Sequence, residues 1–421
     1  MKKLIYLIVA IVTLSLIIAG CGIPVVPPAE QDELSTPTSR AILTVGPSGT
    51  YATIQAAITA ASSGDTITVA AGTYYEVGQI VINKNLTIIG ADKVTTIIKP
   101  DHDTTIGYYL ITNGWFYIDP VASFELRNVT LDGTGRTIHT ALQSRGELIV
   151  EDCIIKNIYA RQDLGIGVQF LAGLNNSVVR CEFSDIQRIG IHVRGSIEST
   201  NPVAHIEDCT YVGKGNGDWL DYGIEFGGGG SGTVDGCNIS ACTGLISIWT
   251  SAGILATGKY GVGTSATIKN STFTGNTEGI HAGYNETDTI VLTAHYNNIF
   301  GNIEYGIFNV GTEEVDATCN WWGDFSGPTH SGNPDGTGDA VSDNVDFNPW
   351  LLGPAPDAVC YDYYEDGFEE IVACAVNAKN HGKFVSCVGQ LTNSWLEQEL
   401  ISAEEKGAIM SWAAKSDIGK K

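Results

Sequence analysis

The chain has 421 residues, 50 of them glycine, with 17% charged side chains and a formal charge of −24. That acidity excludes a nucleic-acid partner and adhesion to anionic lipid as organising roles, because both need a cationic footprint. So few charges leave threonine, serine, asparagine and glycine to cover the surface, which fits a β-rich extracellular protein better than a cytosolic enzyme.

At the N-terminus "MKK" precedes an apolar run from Leu4 to Ala19 and then Gly20-Cys21. The run is a signal-peptide core rather than a stable membrane span, since a cleavage signal follows it directly. "IAGC", Ile18 to Cys21, resembles a prokaryotic lipobox. That resemblance implies removal of residues 1–20, acylation of Cys21, and an exported protein anchored by lipid to the cell envelope, facing outward or periplasmic. Residues 21–41 then form a Pro/Ser/Thr-rich tether, reaching at most about 65 Å at ~3.3 Å per residue. Beyond it, "TIQAAITAASSGDTITVAAGTYYE" starts helical, with Ile54, Ala57, Ile58 and Ala61 on one apolar face. After Gly64-Asp65 the period becomes two, with Ile67 and Val69 alternating against threonines. A lone amphipathic helix needs a large apolar surface beside it.

The repeats downstream supply one. "LIVEDCIIKN", "SVVRCEFSD", "AHIEDCTYVG" and "GTVDGCNISA" place Cys153, Cys181, Cys209 and Cys237 28 residues apart, and two further copies carry Ser271 and Asn297 instead. A second strand pattern follows each copy: "GIGVQF", "GIHVRG", "GIEFGG", "AGILAT", "GIHAGY" and "GIFNV". Short alternating strands with a repeat of about 22 to 34 residues match one turn of a parallel β-helix and are too short for propeller blades. The four cysteines should stack inside one corner as small buried hydrophobes, because in-register side chains run parallel at a spacing too wide for a disulfide.

The opening stretch with "IVINKNLTIIGAD", and "CNWWGDFSGPTHSGNPDGTGDAVSDNVDFNPWL" at the far end, resemble the cap, first coils and closing segment of right-handed parallel β-helix proteins of the pectin-lyase-like superfamily. The resemblance implies an all-β fold, a single-stranded right-handed parallel β-helix of about a dozen coils over residues 42–353, with the N-terminal helix as its cap. The right hand comes from the resemblance and not from spacing. Catalytic motifs of pectin methylesterases, pectate lyases and polygalacturonases are absent, so no catalytic position carries over.

The resemblance places activity on the outer face of one parallel sheet. With Ile and Val pointing inward, the outward row is Gly167, His192, Glu225, Leu255, His281 and Phe308, and the next is Gln169, Arg194, Gly227, Thr257, Gly283 and Val310. His192 and Glu225 fall on adjacent coils. With Asp221 they are the candidate catalytic groups, and Arg194, Arg188, Trp219, Tyr222, Gln169 and His281 are candidate substrate-binding residues. Carboxylates, an imidazole and arginines around a tryptophan suit a uronic-acid polysaccharide, the indole stacking on a sugar face. Equally, polar residues line the exterior of any solenoid. All arginines after Arg40 lie between Arg127 and Arg194, either as part of a mixed solvated face or as a local basic strip.

Residues 354–421 turn helical, and about 60 residues is marginal for an independent core. Cys360, Cys374 and Cys387 there allow one disulfide with a thiol left over. The expected function is a lipid-anchored surface protein whose β-helix flank binds extracellular acidic polysaccharide. The alternatives are a polysaccharide lyase or glycoside hydrolase acting on uronic-acid polymers, and a non-catalytic structural or adhesive protein. No metal or other cofactor is expected: the acidic "NPDGTGDAVSDNVD" coincides with the closing segment, and calcium has no specific motif. The partners expected are the polysaccharide and, through Cys21, the membrane; the protein is expected to be a monomer.

Overall fold

The structure, a computed structural model, describes residues 40–420 except 77, 105–112, 161–163, 216–218, 247–248, 357, 359, 361–364 and 399. The expected signal peptide, Cys21 and nearly all of the expected tether lie outside the described residues. Residues from Arg40 onward form one compact unit. Each coil lends a strand to each of three parallel sheets, one of twelve strands and two of nine. The twelve-stranded sheet runs from Ile42–Val45 to Val345–Asp346. This is a right-handed parallel β-helix, whose coil the repeat pattern requires and whose hand it leaves open.

Alternation makes the core. On the twelve-stranded sheet Leu126, Val150, Val178, Ile206, Val234, Ile268 and Ala294 pair in register from coil to coil. All seven are buried, a continuous apolar file on the inner face, while the residues between them face outward.

The bend leaving this sheet turns on one left-handed residue per coil: Asn128, Asp152, Arg180, Asp208, Gly236, Asn270 and Tyr296 all have φ between 50° and 66°. Asn, Asp and Gly dominate because they adopt that conformation at least cost. The next residue turns inward, and there the cysteines stand. Cys153, Cys181, Cys209 and Cys237 are free and buried, as is Cys242. The file continues in polar form: Cys237 N donates to Ser271 Oγ (3.1 Å), Ser271 N to Asn297 Oδ1 (2.9 Å) and Asn297 N to Asn320 Oδ1 (2.9 Å). Serine and asparagine therefore stand in for cysteine by accepting the amide of the preceding coil. Ellman titration of the intact protein is expected to find these five thiols silent until denaturant is added and all five reactive afterwards, since burial keeps the reagent from the sulfurs. Reactivity in the native state would contradict the buried file.

The cap is a helix, α1 (Ile54–Ala60), with Ile54, Ala57 and Ile58 buried. Thr53 Oγ1 accepts from Ala56 N, and Glu76, from "GTYYE", accepts from Ile54 N (2.6 Å) and Gln55 N (3.1 Å). The acidic end of that stretch satisfies the orphan amides of the capping helix. At the other end α2 (Glu365–Val376), α3 (His381–Glu397) and α4 (Ala403–Lys415) join the same apolar core through Ile371, Phe384, Val388, Trp395 and Trp412. The single disulfide with a spare thiol is corrected here: Cys374 bonds Cys387, and Cys360 bonds Cys319 of the "CNWWG" segment. Cys319 lies outside the 28-residue file and so went uncounted. None of the described helices is long and apolar enough to cross a membrane.

Candidate functional site

The site sits on the nine-stranded sheet whose strands include Thr140–Ser144, Ile166–Phe170, Ile189–Arg194, Tyr222–Gly227, Ala252–Thr257 and Glu278–Ala282. Its corner is a column of glycines. A Cβ on Gly167, Gly190, Gly223, Gly253 or Gly279 would lie 2.5–2.8 Å from the carbonyl oxygen of the next glycine in the column. That crowding explains the recurring "GI" pair. The residues just before the glycines turn outward, so Ile166, Ile189, Tyr222 and Ala252 join Leu220 in a second apolar cluster, against which Trp219 and Trp249 pack.

Past the corner the outward column is Gln143, Gln169, His192, Glu225, Leu255, His281 and Phe308, paired in register. The expected row is thus corrected at its first member. Gln169, not Gly167, precedes His192, because the two strands pair Ile166 with Ile189 and the "GI" motifs are offset by two residues. A two-residue slip keeps the same face outward, which is why the remaining positions agree.

His192 and Glu225 are 4% and 3% exposed, with His192 Nε2 3.6 Å from Glu225 Oε1. Burial, then Arg194 and Arg188, hold the imidazole well below its ordinary range. Burial pushes the Glu225 carboxyl up, against the pull of Arg188, Arg194 and Lys259. His192 Nδ1 meets Gln169 Nε2 at 3.0 Å, and Gln169 Oε1 meets Gln143 Nε2 at 2.8 Å. His192 Nε2, Glu225 Oε2, Arg194 Nε and Trp219 Nε1 are buried without a hydrogen-bond partner, all four at this one place in the fold.

Two lobes of a cleft, about 490 and 470 Å³, meet here and share Glu225, Arg188, Trp219, Lys259 and Tyr260. Gln143, Gln169, His192 and Arg194 line the first lobe; Tyr222, Trp249, Tyr284 and His281 line the second. Arg194 lies over the Tyr260 ring at 4.4 Å, Arg188 5.6 Å from that of Tyr222, and Lys259 Nζ 4.6 Å from Tyr284 and 4.8 Å from Trp249. Among the described residues none of these three cations makes an ion pair. By contrast Arg127 and Arg180 pair with Glu151, and Arg145 with Glu198. The arginine cluster of the sequence therefore divides into a solvated face and a two-arginine site, with Arg161 outside the described residues.

His281 pairs with Glu278 at 2.6 Å and flanks Phe308 in the second lobe. Asp221 is taken out of the catalytic set. It is fully buried, outside both lobes, its carboxylate held by Tyr211 Oη (2.5 Å) and Lys214 N (2.8 Å). Next to Tyr222 in sequence, it is enclosed by Tyr211 and Lys214 and does not reach the cleft. Burial pushes its carboxyl up to about 6, against the Tyr211 bond and Lys214. A raised carboxyl means that the folded state holds the extra proton between about pH 4 and 6, so this contribution to stability is full below pH 4 and lost as pH rises through 6. The loss is on the order of 3 kcal/mol. Urea unfolding of Asp221→Asn is expected to lack that decline, and an unchanged pH profile would refute it.

Sequence reading missed Gln143, Lys259, Tyr260, Trp249 and Tyr284. The last four lie on or beside the segments that follow strands, where no periodicity operates; "TGKYG" after "AGILA" was the available signal. Among the described residues no three His, Cys, Asp or Glu side chains converge as a metal set.

The model of the family described as right handed beta helix region matches residues 84–321. No curated protein matches. Among solved structures the chain is similar to the pectin methylesterase of Aspergillus niger, at 21% identity over 62% of this chain and 86% of that one, TM-score 0.44. It is also similar to carrot pectin methylesterase (17%, 62% and 84%, TM-score 0.38) and to a PL6 family alginate lyase (15%, 61% and 39%, TM-score 0.36).

Proposed function

We propose that this chain, which belongs to the right-handed β-helix family, binds an anionic polysaccharide along the flank of its coil, at the cell envelope to which Cys21 anchors it. One observation carries this reading: three cations without carboxylate partners, interleaved with aromatic rings, line one cleft of a protein whose formal charge is −24. On so acidic a molecule, cations left unpaired beside a cleft favour an anionic ligand, and the aromatic faces suit the apolar faces of sugar rings. Isothermal titration of the full chain in detergent with polygalacturonate, alginate and a neutral glucan tests it. Binding to an acidic polymer, weakened by salt, is expected. Equal affinity for the neutral glucan would refute it.

A second reading, β-elimination, is favoured by the adjacency of His192 and Glu225. In a 4-linked uronate Glu225 would take the C5 proton, the C5–H electron pair would form the C4=C5 bond, and the C4–O bond would break. His192 Nε2–H would hydrogen-bond the departing O4, and the proton taken up by Glu225 would pass to that oxygen. Removal from one face needs the two groups side by side. Hydrolysis by paired carboxylates needs them about 5 to 9.5 Å apart, and among the described residues Glu225 is the one carboxylate lining either lobe. Ultraviolet absorbance of the new double bond during incubation reports elimination, and its absence with a bound polymer leaves binding alone.

A further inference from the structure

This inference rests on the polysaccharide reading and names the chemical group that the floor of the cleft recognises. Asn113 N and Gly114 N both donate to Gln143 Oε1, at 2.7 and 3.2 Å. A backbone N–H can only donate, so the orientation of the Gln143 amide is fixed and its Nε2 faces the next coil. Gln143 Nε2 donates to Gln169 Oε1, which leaves Gln169 Nε2 donating to His192 Nδ1. In the neutral imidazole the proton therefore resides on Nε2. The direction of every bond across these coils follows from two amides at one end.

His192 Nε2 is thus a donor, buried and without a hydrogen-bond partner. Glu225 Oε2, as a carboxylate oxygen an acceptor only, is equally buried and unpartnered beside it. A second carboxylate between them would repel Glu225, and an ether oxygen would leave Glu225 unmet. A hydroxyl can accept from one and donate to the other. We propose that a free hydroxyl of the ligand fills this pair while the carboxylate of the same sugar meets Arg188 and Arg194, so that the site selects uronates with an unmodified hydroxyl. Gln143 and Gln169 are positioning residues that set the polarity of the pair.

The test joins a spectroscopic and a binding measurement on the full chain. Long-range ¹H–¹⁵N correlation of the imidazoles, with His192 assigned by its loss in His192→Gln, is expected to show the Nε2–H tautomer. Titration with polygalacturonate and with the same polymer O-acetylated is expected to give about tenfold or greater preference for free hydroxyls, because a buried pair would otherwise stay unmet. In Gln169→Glu the new carboxylate draws a proton onto Nδ1, and the preference is expected to shrink. An Nδ1–H tautomer in the wild type, or full preference retained in Gln169→Glu, overturns the inference. Equal affinity for the two polymers overturns it and leaves the polysaccharide reading standing, whereas binding of neither, nor of alginate, overturns both.

Discussion

Replacing Arg188 and Arg194 together by alanine is expected to weaken polygalacturonate binding by about a thousandfold, with the fold intact. Truncating one partner of a buried charged contact costs about 2–5 kcal/mol, so two losses at the low end already reach that factor. The arginines are suited to this work. Each lies on an aromatic ring, neither spends its charge on a carboxylate, and their planar forks can meet a uronate in two-point fashion. The double lysine variant keeps the charge and loses the fork, so it should recover part of the affinity. A second readout is independent of ligand. Both arginines help to depress the His192 imidazole, so its titration midpoint should rise in the alanine variant, while burial keeps it from returning fully to the ordinary range. Unchanged binding in the double variant would remove the cleft as the binding site.

Gly190→Val is expected to lower stability by about 3 kcal/mol or more, read as a shift of the urea midpoint. A Cβ there would lie 2.5 Å from Gly223 O and 2.5 Å from two ring carbons of Tyr211. The oxygen belongs to the next coil's backbone and the ring is fully packed, so neither can withdraw without opening the stack. Because His192 stands two residues along the same strand, the variant should also lose binding at temperatures where it remains folded. Gly407→Ala in α4 is the contrasting control. Nothing lies within 4 Å of its added Cβ, and a helical alanine should raise stability by about 0.5–1 kcal/mol. If Gly190→Val were as stable as the wild type, the glycine column would not be a steric requirement.

How far the sequence reached depended on periodicity. The coil architecture was legible because each turn repeats the same physical demands: an inward aliphatic residue on alternate positions, an Asn, Asp or Gly at most left-handed bends, a small inward residue after it, and a glycine at the crowded corner. These are local rules repeated many times, so Val150, Cys181 and Ile206 announce their neighbours 28 residues away. The same periodicity put His192 beside Glu225. It stalled where repeats change length: "GIGVQF" and "GIHVRG" look aligned by their glycines, yet hydrogen bonding pairs them two residues apart, which brought Gln169 into the column.

The remainder was decided in three dimensions. Asp221 and Tyr222 are consecutive, but Tyr211 and Lys214 enclose one while the other lines the cleft. Lys259, Tyr260, Trp249 and Tyr284 come to the site from connections between strands, whose course depends on what they pack against and not on any period. Cys319 finds Cys360 only because the last coil and the following segment meet in space. By itself the sequence determined the coil, its core and the face on which the candidate site lies, since nearest-neighbour stacking is encoded turn by turn. Which ions stay unpaired, which carboxylate is sealed in and which rings close around the cleft were settled by tertiary packing, because burial and charge pairing depend on residues that meet only after the coil has formed.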